Sequence, residues 1–238
     1  KDRIGLQNWP ALAVESRILS PFDFRNQVLL CLPDDLPPPD SAQFDRALAR
    51  ALQRWLEASD GRAFILFTSY RSLTAVCDVL AQPLAEQGML VLKQGTDSRS
   101  RLLQRFRSGE RAVLFGTDSF WEGVDVPGDA LSLVVIARLP FRVPTDPIEK
   151  ARAEALEARG GDSFVQYSLP RAIMKFRQGF GRLIRTTSDK GAVIIADTRV
   201  HQRSYGRRFL SALPTCPTVQ GDTNSVTNAV RQWLGHLP

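Results

Sequence analysis

The sequence predicts an α/β fold, a parallel sheet sandwiched between helices, and two observations carry that prediction. Short β-type runs alternate with longer amphipathic runs along most of the chain, the order expected when each strand is followed by a crossover helix. The strand-type runs are apolar throughout instead of alternating with polar residues, which implies that both faces of the sheet are covered. With 238 residues, 43% apolar and 24% charged, the chain can bury a full core.

Taken in order, residues 1–26 show no clear period and read as a linker or packed extension, so the domain is taken as 27–238. The first strand is QVLLCL (27–32), and the proline-rich LPDDLPPPD (32–40) then leads to a helix N-cap at Asp40 or Ser41. Further strands are AFILF (63–67), MLVLK (89–93), RAVLFG (111–116), LSLVVIA (131–137) and GAVIIA (191–196). Amphipathic stretches at 41–58, 71–87 and 97–108 supply the intervening helices. Pro140, Pro144 and Pro147 form a rigid connector, followed by a charged helical stretch at 148–159 and a helix over RAIMKFRQGFGRLIR (171–185).

Composition narrows the function classes. The longest apolar runs fall far short of the roughly 18 residues a membrane span needs, and no apolar region follows the charged start as in a signal peptide. Cys31, Cys77 and Cys216 are odd in number and widely spaced, which fits neither a disulfide framework nor a paired metal ligand set. They read as buried thiols of a cytoplasmic protein. A net charge of +6 suits a polyanionic partner.

The phosphate-cradling loop G-x-x-x-x-G-K-[ST] is absent, and so is a G-x-G-x-x-G turn after a strand. Three segments remain near the expected carboxyl ends of the strands, where ligands of such folds bind. In FTSY (67–70), Thr68 and Ser69 can offer donors to phosphate oxygens at a helix N-terminus, or Ser69 can serve as an ordinary N-cap. The second segment, GTDSFWEGVDVPG (116–128), crowds Thr117, Asp118, Ser119 and Glu122 around Phe120 and Trp121. It reads either as a polar loop facing a sugar-phosphate chain and a ribose, or as a short helix with its aromatics in the core.

The third segment, RQGFGRLIRT (177–186), places Gln178, Arg182 and Arg185 within roughly 60° of one another if it is helical. Each glycine costs such a helix about 1 kcal/mol against alanine, so a close neighbour is expected. An arginine held at a phosphate can stabilise transition-state charge. Without a phosphate loop here, the nucleotide must be held mainly by another domain.

GTDSFWEGVDVPG and QGFGRLIRT resemble helicase motifs V and VI of superfamily 2, in the form found in the DinG/XPD branch of DNA helicases. SPFDF (20–24), FTSY, LPF (139–141) and DTRVHQRSYGRRFLSALP (197–214) also resemble bacterial DinG-like proteins. The resemblance implies a RecA-like fold: the second motor domain of a helicase, lacking its own phosphate loop. It also implies that Gln178 is the polar first residue of motif VI and that Arg182 and Arg185 are its γ-phosphate-facing arginines. Gly123 and Asp125 correspond to the part of motif V that reaches the ribose, and Gly181 lets the helix approach that loop. Glu122 fits the DinG form of motif V and joins the nucleotide set, with its facing toward ATP, Arg182 or DNA left open. Thr117 matches the strand-contacting residue of motif V and Ser69 takes the motif IV position facing a DNA phosphate; Thr68 and Ser119 lie in the same loops.

The expectation is a C-terminal motor domain of an ATP-dependent 5′ to 3′ DNA helicase, inactive when isolated. Its partners would be single-stranded DNA and the N-terminal helicase domain of the same chain. ATP with Mg2+ would be bound mainly by that other domain, and an iron–sulfur cluster, where the parent carries one, would belong to the same half. A monomer with no metal site of its own and no membrane association completes the reading. The alternatives are the motor-like part of a DinG-type nuclease and a non-catalytic nucleic-acid-binding module. In the domain alone, both guanidiniums are expected to be solvent-exposed or to hold a stray anion.

Overall fold

The computed structural model describes residues 20–121, 130–141 and 147–235. The chain begins with a four-residue helix, α1 (Phe24–Gln27), capped by the Asp23 carboxylate, which accepts from the Arg25 amide. It then enters strand β1 (Val28–Pro33). There follow α2 (Phe44–Ala58), β2 (Ala63–Leu66), α3 (Tyr70–Glu86), β3 (Leu90–Lys93), α4 (Arg99–Ser108), β4 (Ala112–Gly116) and α5 (Asp118–Trp121). The second half comprises β5 (Leu133–Ile136), α6 (Pro147–Glu157), a π-turn (Phe164–Ser168), α7 (Leu169–Phe180), β6 (Gly191–Ile195), α8 (Arg199–Gln202), α9 (Gly206–Leu210), β7 (Thr218–Gly221) and α10 (Thr223–Leu234).

The strands form one sheet in the order β3-β4-β2-β5-β6-β1-β7, and every pairing is parallel. Because side chains alternate across a strand, each apolar run feeds two cores. Cys31, Ile65, Phe115, Val135 and Ile194 face the layer of α2, α3 and α10. Leu30, Phe64, Leu114, Ile136 and Val193 face α4, α5, α7 and α9. The continuous apolar runs thus have the two-sided burial expected of them, in a RecA-like α/β sandwich.

Three features differ from the sequence expectations, and one lies where no element was assigned from sequence. Helix α2 begins at Phe44, not at Asp40 or Ser41; Ser41 instead opens a turn, its hydroxyl accepting from the Gln43 amide. The arginine helix stops at Phe180, with Gly181 as its C-cap. A seventh strand and a C-terminal helix occupy the last 24 residues, where Asp222 caps α10 through the Ser225 amide. The Trp233 indole then donates to the Gly191 carbonyl at 3.0 Å. Finally, Cys31 and Cys77 are buried as expected, but Cys216 is only partly so.

Candidate functional site

Since all seven strands are parallel, their carboxyl ends share one edge of the sheet, and the polar loop residues collect there. Ser69 caps α3, its hydroxyl accepting from the Ser72 amide at 3.2 Å. The helix-cap role considered for this residue is therefore realised, and the hydroxyl proton is not used by that bond. Beyond β3, the Gln94 carboxamide oxygen accepts from both the amide (2.6 Å) and the hydroxyl (3.0 Å) of Thr117 beyond β4. The Tyr70 hydroxyl donates to the Gln94 carbonyl at 2.6 Å. Gln94 thus ties Thr117 to the start of α3.

Trp121 is the packing centre of the site. Both it and Phe120 are buried against the sheet, so the core reading of this aromatic pair holds, each burial contributing roughly 1.5–3 kcal/mol. The Trp121 indole donates to the Phe67 carbonyl at 3.0 Å, joining the β4 loop to the β2 loop. Lys175 of α7 lies over the same ring at 5.7 Å. The glycine that permits this packing is Gly179: a β-carbon there would stand 2.9 Å from two ring atoms of Trp121. Gly181, which was expected to allow the close approach, would meet only backbone oxygens of its own helix, the nearest at 3.2 Å.

Ending the helix at Phe180 moves Arg182 and Arg185 off a common helical face and into the turn that follows it. Arg182 returns to the end of α5, its Nε donating to the Trp121 carbonyl at 3.0 Å. Arg182 and Arg185 are both half-buried, whereas Gln178 and Gly181 are exposed. Both arginines are thus partly covered where solvent-exposed guanidiniums were expected, because the turn folds back onto the domain. Asp189, itself buried, accepts from the amides of Arg185 (2.7 Å) and Thr186 (2.8 Å) and from the Thr186 hydroxyl (2.5 Å).

Farther along the edge, Arg138 beyond β5 pairs with Asp45 at 3.1 Å and lies over the Phe44 ring at 4.8 Å. Asp197, fully buried beyond β6, accepts from the Leu139 amide at 2.7 Å and takes the Arg199 guanidinium at 2.6 Å. That ion pair and its hydrogen bond raise the pKa of Arg199. A cleft of about 500 Å³ opens beside it, lined by Pro38, Asp40, Arg199, Gln202, Arg203 and Tyr205.

The structure therefore brings Thr68, Ser69 and Thr117 to one edge, places Ser119 on the exposed side of α5, and sets Arg182 beside Trp121. Glu122, Gly123 and Asp125 lie outside the described residues. Among the described residues, there is no group of three or more His, Cys, Asp or Glu that could hold a metal ion. No described helix is long and apolar enough to cross a membrane. Sequence reasoning missed Gln94, Asp189 and Asp197. A usable signal existed for two of them: the first polar residue after a predicted strand is Gln94 in one case and Asp197 in another.

Residues 52–216 match the model of the helicase C-terminal domain family. The chain belongs to that family. This helicase C-terminal domain is 43% identical to the ATP-dependent DNA helicase YoaA of Escherichia coli (strain K12), over 96% of the chain and 34% of that protein. It is 40% identical to the ATP-dependent DNA helicase DinG of Photobacterium profundum, over 83% of the chain and 29% of the relative. It is 38% identical to the 3′-5′ exonuclease DinG of Bacillus subtilis, over 90% of the chain and 23% of the relative. The chain thus spans about a third or less of these curated relatives. A solved XPD helicase shares the fold with a TM-score of 0.62 at 18% identity, covering 81% of this chain and 36% of its own. Xpd4 from S. tokodaii does so with a TM-score of 0.57 at 18% identity, over 88% and 41%. The chain is thus similar in sequence to the DinG and YoaA proteins and in fold to the XPD helicases.

Proposed function

We propose that this helicase C-terminal domain is the second motor domain of an ATP-dependent DNA helicase, reaching ATP held mainly by a preceding domain of the same protein. Arg182 and Arg185 act at the γ-phosphate, where fixed guanidiniums stabilise charge developing on the transferred group. The observation that carries this reading is the placement of Arg182. It follows the helix turn of motif VI and is hydrogen-bonded to Trp121 of motif V, in a sequence with no phosphate loop of its own. Gln178 and Gly181, both exposed on the same turn, and Glu122, Gly123 and Asp125 complete the nucleotide side.

Thr68, Ser69 and Ser119 grip single-stranded DNA, and Thr117, whose amide and hydroxyl both donate to Gln94, holds its loop beside the strand. Neutral hydroxyls and amides at a helix start suit phosphate oxygens and give no base selectivity. Closure on ATP and release after hydrolysis move these loops relative to the first domain, with 5′ to 3′ polarity. Mg2+ is held by that other domain, as is an iron–sulfur cluster if the parent carries one. The protein works in the cytoplasm as a monomer, and the domain alone neither hydrolyses ATP nor unwinds DNA.

The test is Arg185→Ala in the intact protein. ATP turnover should fall at least tenfold while single-strand affinity stays nearly intact, and unchanged turnover would remove the finger assignment. A second reading, a motor-like part of a DinG-type nuclease, draws on the exonuclease name of the Bacillus subtilis relative. ATP-dependent degradation of a labelled strand by the intact protein, without duplex separation, would favour it.

A further inference from the structure

We propose that Asp189, backed by Gln27, is a positioning residue that fixes the backbone from which Arg185 reaches the nucleotide. This rests on the finger reading above. Arg185 sits five residues past the last residue of α7, beyond the reach of the helix ladder that would otherwise hold its backbone. Its place is taken by one buried carboxylate. Asp189 Oδ2 accepts from two consecutive amides, Arg185 and Thr186, at 2.7 and 2.8 Å. Its Oδ1 accepts from the Thr186 hydroxyl at 2.5 Å, and that hydroxyl is also 3.0 Å from the Ser188 hydroxyl.

The same loop is held from outside. Gln27, buried at the end of α1, donates through Nε2 to the carbonyls of Thr186 at 3.0 Å and Asp189 at 2.9 Å. The amides on one side of the turn and the carbonyls on the other are thus both satisfied by fixed side chains. The clamp links residues 162 apart in sequence and acts on the Arg185 backbone amide. Its effect is on where the arginine stem begins. A misplacement of about 1 Å at a reacting group can cost about 100-fold in rate, so a loop around a long, flexible side chain gains from such fixing.

The test is made in the intact protein, measuring single-strand-stimulated ATP turnover, KM for ATP, strand affinity and the thermal unfolding midpoint. Asp189→Ala should lower kcat about tenfold, leaving KM and strand affinity within about twofold. Asp189→Asn, which keeps one acceptor for the amides, should recover part of that loss. In an Arg185→Ala background, Asp189→Ala should lower kcat no further, because both changes remove one function. An equal loss in both backgrounds would make Asp189 independent of Arg185 and overturn the proposal. Full turnover in Asp189→Ala, with Arg185→Ala impaired, would overturn it while leaving the finger reading standing. Full turnover in Arg185→Ala would remove both. Should Asp189→Ala not fold, Thr186→Val, which removes only the hydroxyl bond, carries the same comparison with an expected twofold to fivefold loss of kcat.

Discussion

Gly179 faces the indole of Trp121 so closely that a β-carbon at 179 would stand 2.9 Å from both Cε3 and Cζ3, with Leu66 Cδ1 at 3.3 Å. Trp121 is buried and bonded to the Phe67 carbonyl, so it has little freedom to withdraw. Gly179→Ala gains roughly 1 kcal/mol of helix propensity but overpacks a filled site at a cost of about 1–3 kcal/mol. A net loss of about 1 kcal/mol is expected. Gly181→Ala, outside the helix at φ −68°, should change stability by less than about 0.5 kcal/mol. Urea unfolding midpoints of the two variants test the contrast, and equal effects would contradict the assignment of the close approach to Gly179.

The proposed strand grip has a salt signature. If lysines or arginines of the chain neutralise about three phosphates of the strand that the hydroxyls hold, log affinity should fall against log salt with a slope of about −2, from roughly 0.7 per neutralised phosphate. Fluorescence anisotropy of a labelled oligonucleotide between low and moderate salt measures the slope. Binding that ignores salt, or none at low salt, would speak against the grip.

Alkaline stability should depend on the two core thiols. Burial pushes Cys31 from 9.0 up to about 12 and Cys77 from 9.0 up to about 11, the latter opposed in part by Lys93. Above pH 9 the unfolded chain releases these protons and the native state does not, so the native state binds more and stability falls as pH rises. Each thiol contributes a slope of about 1.4 kcal/mol per pH unit. Below pH 9 the effect vanishes. Denaturant titrations from pH 8 to 11 should therefore show a falling stability in the native chain. Cys31→Ala should show a shallower fall, and identical slopes would remove the attribution to Cys31.

Much of the architecture was legible because apolar runs with two buried faces leave a strong local trace, as in AFIL and LVVI. β7 left none: TVQG alternates between exposed and half-buried positions at the sheet edge. The end of α7 was misread because Leu183 and Ile184, both buried, continue the helical spacing of apolar residues after Gly181 has broken the ladder. Of the site, the hydroxyl residues and arginines were visible as types in segments of unusual composition. Their partners were not. Gln94 meets Thr117 and Gln27 meets Asp189 only through the tertiary fold, and no local spacing encodes such contacts.

Trp121 touches β2's loop through its indole N–H, α7 through its ring against Gly179, and Arg182 through its carbonyl. In mechanical language, one rigid plate is the fulcrum shared by two levers: the segment leading to Ser69, and the turn bearing the arginines. On the proposed function, a displacement imposed by the strand at one arm cannot be absorbed locally before it is felt at the other. A single buried side chain would then set the gearing between nucleotide turnover and strand advance.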